Sequence, residues 1–142
     1  MLRLATSLSG DPELARDISQ EVFIAVIKGL GRFRAEASIK TWIYRVTIRV
    51  AGRQLARNRR SGGGRVDPDT IAGMATAEGS AEMADLLAAL NRLPLGARTV
   101  LSLVAIEGLS HQAAAEVLGV PVGTVWSRLH GARRKLSSIL SG

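Results

Sequence analysis

The sequence predicts an all-α protein: two small helical domains joined by a flexible linker, the C-terminal one a helix-turn-helix. Three observations predict it. Apolar residues recur at helical spacing behind recognisable capping residues. Strand signals are nearly absent, with no sustained alternation and no Asn-Gly hairpin. The apolar 46% of the 142 residues includes only two Phe, two Trp and one Tyr, so the core is built from Ala, Leu, Val and Ile, which suits helices.

The elements follow in order. Leu4, Ala5 and Leu8 have helical spacing. Asp11-Pro12 is an N-cap followed by proline at the first helical position, where a missing N–H costs nothing. Ile18, Val22, Val26 and Leu30 then form an apolar stripe, widened by Phe23 and Ile27, until Gly29 and Gly31 interrupt. Ser38 caps the next helix, with Ile39, Ile43, Val46 and Val50 as its buried row, and the pattern dissolves into Arg57-Asn58-Arg59-Arg60. Residues 61–79 read as a linker: a glycine run, Asp67-Pro68, and small residues with little periodicity. Leu86, Leu87, Leu90 and Leu93 open a second module near Ser80; Pro94 breaks that helix, and a new one runs to about Ile106. Shorter helices are expected around 111–118 and 122–139. The expected division is therefore 1–60, a linker at 61–79, and 80–142.

Composition excludes several functions. There is no cysteine, so disulfides, thiolate metal sites and cysteine nucleophiles are all absent. His111 and His130 are the only histidines, nineteen apart and outside any HExxH pattern, so no zinc site is expected. The glycine run at 62–64 precedes no Gly-Lys-Ser/Thr and is not a phosphate loop. With no catalytic constellation, the chain is not expected to be an enzyme or to need a cofactor. The longest apolar run, Val22 to Ile27, is six residues, against the ~20 of a membrane span, and the first ten residues lack a signal-peptide core. No membrane insertion and a cytoplasmic location are expected.

Charge distribution points to a polyanion. The net charge is +7, but residues 32–65 carry ten basic side chains and one acidic, while residues 66–90 carry five acidic and no basic. Residues 91–142 are basic again, six against two. Two basic blocks flanking an acidic spacer fit nucleic acid bound by both ends, or two solvated basic faces.

The C-terminal segment carries the most specific pattern. Ser110 is an N-cap, Ala115 is small where helices cross, and Gly119 suits the left-handed turn ending the first helix. A short helix, a three-residue turn and a longer helix make a helix-turn-helix, whose second helix enters the DNA major groove. A plain helical hairpin is the alternative. At about 100° per residue, Val122, Val125, Leu129, Ala132 and Leu136 share the buried face. Thr124, Ser127, His130, Gly131 and Arg134 then point outward, with Trp126, Arg128, Arg133 and Lys135 on the flanks. Ser, Thr and Arg near the helix start reach base edges, and later Arg and Lys hold phosphates. Trp126 either covers the hydrophobic edge or contacts DNA.

Leu93-Pro94, Arg98, Glu107-Gly108-Leu109-Ser110, Ala115, Leu118-Gly119-Val120-Pro121, Gly123-Thr124-Val125, Ser127-Arg128-Leu129 and Ala132-Arg133 resemble, in order, the −35-reading domain of bacterial extracytoplasmic-function (ECF) RNA polymerase sigma factors. Three positions depart from that pattern. The family usually has an acidic residue at Ala113, Lys or Arg at Trp126, and Arg at Gly131. Upstream, Asp17-Ile18-Ser19-Gln20-Glu21-Val22-Phe23 is similar to the segment that docks on the polymerase beta-prime clamp, implying Asp17, Gln20 and Glu21 as polymerase-binding residues. They share one helical face opposite much of the apolar stripe. Phe33 to Ser38 resembles a loop that captures an unstacked promoter base, and Lys40-Thr41-Trp42-Ile43-Tyr44-Arg45 resembles the start of the −10-reading helix.

Arg45, Arg49, Arg53 and Arg57 recur every fourth residue as a basic stripe able to follow a phosphate backbone, beside aromatics on which bases can stack. Trp42, flanked by Ile39 and Ile43, fits a core position or a DNA wedge. The family commonly has Asn and Asp at Arg49 and Arg53, so these two rest on charge. The expected −10 contacts are Lys40, Trp42, Arg45, Arg49, Arg53 and Arg57. The expected −35 contacts are Thr124, Trp126, Ser127, Arg128, His130, Arg133 and Arg134.

The resemblance implies an initiation factor whose partners are core polymerase (beta-prime clamp and beta flap), promoter DNA and an anti-sigma factor. It also implies a short N-terminus, with residues 1–9 as the tail of a further helix. Two other functions remain open from sequence. One is a stand-alone helix-turn-helix regulator with a sensing or dimerising first half. The other is a truncated sigma factor acting only as an interaction protein. A sensor needs a ligand pocket; the first half here instead shows a polar docking face and a basic helix.

Overall fold

The computed structural model describes residues 2–34, 38–60 and 81–141, and among these every regular element is a helix. The linker expected at 61–79 lies outside the described residues.

In the first half, α1 (Leu2–Ser9) buries Leu4, Ala5 and Leu8 and ends at Gly10, in the left-handed region at φ 68°. A Cβ at Gly10 would lie 2.1 Å from the Asn91 side chain, so this glycine is needed both for the turn and for close approach of the second half. Asp11 starts α2 (Pro12–Gly29): its Oδ1 accepts from the backbone N–H of Glu13 (3.0 Å) and Leu14 (3.4 Å). At the other end a Cβ on Gly29 would sit 2.8 Å from the Trp42 ring, so glycine lets the indole lie against the helix. A 3-10 turn (Leu30–Arg32) follows, and then α3 (Ile39–Arg60), where Ser38 Oγ accepts from the Thr41 N–H at 3.1 Å. This helix continues through Arg60, past the point where its apolar pattern fades.

The apolar stripes are narrower than their periodicity suggests. On α2 only Ala15, Ile18 and Val22 are fully buried, whereas Phe23, Ile24, Ile27 and Leu30 are each more than half exposed. On α3 the buried row begins below Ile39, which is exposed, and runs through Thr41, Val46, Thr47, Val50 and Ala51. The reason is geometric. Helix α2 packs against α1 and α3, and only the part of its apolar stripe that faces them is buried.

In the second half, α4 (Ala81–Asn91) leads through Pro94 into α5 (Leu95–Leu101), which runs on as a π-helical turn (Ser102–Ile106). The turn closes with the Glu107 N–H on the Ser102 carbonyl at 2.9 Å. Then come α6 (His111–Leu118) and α7 (Val122–Ser141). Ser110 Oγ accepts from the Ala113 N–H at 3.0 Å, and Gly119 takes φ 67°. Ala115, Val125, Leu129 and Ala132 are buried as the hairpin arithmetic requires, but Val122, at the open end of α7, is exposed.

The two halves meet along α1, which packs on α2 and α3 and also on α4, α5 and the π turn; α3 touches α6. Their buried residues form one continuous apolar cluster. Polar ties cross the same seam. Arg98, buried on α5, donates to the Leu8 and Leu93 carbonyls. Arg3 pairs at 3.1 Å with Glu107, whose side chain is only 4% exposed.

Candidate nucleic-acid and polymerase interfaces

Helix α7 presents its polar face to solvent because the Val125–Leu129–Ala132 row fixes its rotation against α5 and α6. Ser127, Arg128, His130, Arg133 and Arg134 are exposed, and among the described residues none of these arginines pairs with a carboxylate. Thr124 is half-buried, drawn inward at the start of the helix. Trp126 is 57% exposed, so it does not cover the hydrophobic edge. Its indole stacks on His111, with ring centroids 3.9 Å apart and planes 7° from parallel. Sequence reasoning gave His111 no such role, since nothing local links the start of α6 to a residue fifteen positions on.

On α3 the expected −10 residues have different surroundings. Arg49 is exposed. Lys40 is exposed, with its ammonium 6.0 Å from the Tyr44 ring centroid. Trp42 is half-buried against Phe33, with ring centroids 5.2 Å apart. Arg45 reaches across the seam and donates to the carbonyls of Val117 (3.3 Å) and Glu116 (2.5 Å) in the last turn of α6, where unsatisfied carbonyls attract a cation. Arg53 and Arg57 lie 3.4 and 3.9 Å from the two carboxylate oxygens of Glu21.

Glu21 therefore does more than face solvent. Its Oε2 also accepts from Gln54 Nε2 at 3.1 Å. That hydrogen bond, with Arg53 and Arg57, holds its carboxyl below the ordinary carboxylate value against the opposing effect of burial. Asp17 and Gln20 are exposed on the same face of α2. Beside them lie Phe23, Ile24 and Ile27, an exposed apolar patch of which Phe23 and Ile27 belong by periodicity to the apolar stripe. Exposed apolar side chains thus lie next to an acidic and amide face on one side of α2.

A helix-turn-helix with a bare cationic outward face, joined to a helix carrying an arginine stripe, defines a DNA-binding protein of the helix-turn-helix class. The Sigma-70 region 2 family model matches residues 1–61, and the Sigma-70, region 4 model matches residues 83–136. The RNA polymerase sigma-H factor of Pseudomonas aeruginosa is 34% identical over 99% of this chain and 80% of its own length. The ECF RNA polymerase sigma factor EcfG of Rhodopseudomonas palustris is 32% identical over 96% of this chain and 76% of its own. Among solved structures, the sigma factor RpoE in complex with the anti-sigma factor NepR from Bartonella quintana matches with a TM-score of 0.77 at 25% identity, covering 99% of this chain and 89% of that one. CnrH in complex with the cytosolic domain of CnrY gives 0.73 at 32% identity, covering 99% and 80%.

The chain belongs to the ECF RNA polymerase sigma factors. It is a transcription initiation factor that binds core RNA polymerase and directs it to promoter DNA. Among the described residues no helix is long and apolar enough to cross a membrane, and no acidic or histidine cluster could hold a metal ion.

Proposed function

We propose that the promoter is read in two parts. Residues 1–60 dock on the beta-prime clamp and engage the −10 element, residues 80–142 engage the −35 element and the beta flap, and residues 61–79 connect them. The polymerase supplies the catalysis, in the cytoplasm. Asp17, Gln20 and Glu21 make the polar part of the clamp contact, and the neighbouring Phe23, Ile24 and Ile27 supply its apolar part. Lys40, Trp42, Arg45, Arg49, Arg53 and Arg57 serve the −10 side. Thr124, Trp126, Ser127, Arg128, His130, Arg133 and Arg134 serve the −35 side.

The observation that carries this reading is the outward face of α7, whose cations are exposed and unpaired among the described residues. An anti-sigma factor is a further partner, supported by likeness to two sigma factors solved in such complexes.

Transcription from a selected promoter with added core enzyme tests the reading. Arg128→Ala should lower activity about five- to a hundred-fold on promoters with the preferred −35 element, the loss centred on one base position. Arg133→Ala should weaken binding to all sequences alike and flatten the salt dependence. A −35 preference unchanged by Arg128→Ala would show that another face of α7 reads the DNA.

A further inference from the structure

We propose that His111 is a positioning residue for promoter recognition. Stacked on Trp126, it holds the indole so that its free surface makes an apolar contact with the C5-methyl group of a thymine in the −35 element. This rests on the −35 reading of α7.

Trp126 is the fifth residue of α7, in the part of a recognition helix that reaches base edges, and it is 57% exposed. An exposed indole on a helix samples several rotamers, and a contact that needs one of them loses affinity through ordering. The parallel imidazole 3.9 Å away removes that freedom by covering one ring face. The backbone of His111 is fixed, as the first residue of α6 directly after the Ser110 cap, and the residue is half-buried. Its Nε2 is buried with no hydrogen-bond partner among the described residues, and its flat face lies on the indole.

The exposed indole offers one N–H and a broad apolar surface. The apolar feature that a base presents in the major groove is the thymine methyl, which makes thymine the base this pair selects.

The test uses holoenzyme assembled from the full chain and core polymerase. Preferred −35 sequences are first selected from a randomised promoter library. Each −35 thymine is then replaced in turn by deoxyuridine, which lacks only the methyl group. The wild type should lose about three- to five-fold in affinity at one position, as expected for one buried methyl. Trp126→Ala should show no methyl effect there. His111→Ala should lose most of it, and His111→Phe, which keeps a flat ring without the nitrogens, should retain it.

The wild-type uracil scan needs no variant, and circular dichroism melts confirm that each variant folds. A −35 preference with no methyl-sensitive position, or one whose sensitivity survives Trp126→Ala or His111→Ala, overturns the inference and leaves the −35 reading standing. A selection that returns no −35 preference overturns both.

Discussion

Replacing Arg98 by methionine should loosen the seam between the two halves of the protein. The Arg98 residue is 8% exposed, and its guanidinium donates to the Leu93 carbonyl at 3.0 Å and to the Leu8 carbonyl. Leu8 lies in the last turn of α1, where carbonyls have no intrahelical donor and a positive charge also complements the helix dipole. Burial pushes the guanidinium pKa down, with Arg59 adding to the effect, so the charge is held at a desolvation cost that its hydrogen bonds offset.

Methionine keeps most of the aliphatic volume, which makes the cavity contribution small. What remains is two buried carbonyls without donors, at about 1–3 kcal/mol each, less the relief of no longer burying a charge. The expected net loss is about 2–3 kcal/mol. With a urea m-value of about 2 kcal/mol/M, the midpoint should fall by about 1–1.5 M. Urea titration followed by far-ultraviolet circular dichroism measures it, and an unchanged m-value confirms that the two-state comparison is sound. A midpoint unchanged or raised would refute the reasoning. It would mean that the buried charge costs as much as its hydrogen bonds return, and that apolar packing alone holds α1.

Three other perturbations have clear signs. The Glu21 carboxyl titrates below its ordinary value of 4.5, so its contribution is fully present above that value and is lost as pH falls through the lower folded one. Because the side chain is 34% exposed, Glu21→Gln should cost under about 1 kcal/mol at pH 7 and flatten the acid-side loss seen in thermal melts, and identical pH slopes would contradict the pairing. Leu129→Ala removes a side chain that is 1% exposed and should destabilise by about 2–5 kcal/mol in denaturant titration. A Cβ at Gly131, inside α7, would meet nothing within 4 Å, so Gly131→Ala should stabilise by about 0.5–1 kcal/mol and raise the melting temperature by about 2–4 °C.

Local chemistry made the helix ends and the fold class legible in the sequence. The Asp11-Pro12 start, the Ser38 and Ser110 caps and the Gly119 turn depend on atoms within a few residues, and each forms as its residue type dictates. The helix-turn-helix was legible for the same reason, since its turn and its crossing point are short-range features. Periodicity, by contrast, identifies an apolar face without saying how much of it a neighbour will cover. Phe23, Ile27, Leu30, Ile39 and Val122 all satisfy the spacing and all remain exposed, because burial depends on where another helix lies.

The long-range ties were equally outside the sequence's reach. Glu21 meets Gln54, Arg53 and Arg57 across two helices; Arg45 meets the end of α6; Arg98 meets Leu8; and His111 meets Trp126. A side chain's type and helical angle give the direction in which it leaves its own helix. Which carbonyl, carboxylate or ring it then finds is fixed only when separate helices pack, because those partners come together through the shared burial of apolar faces and not through any sequence spacing.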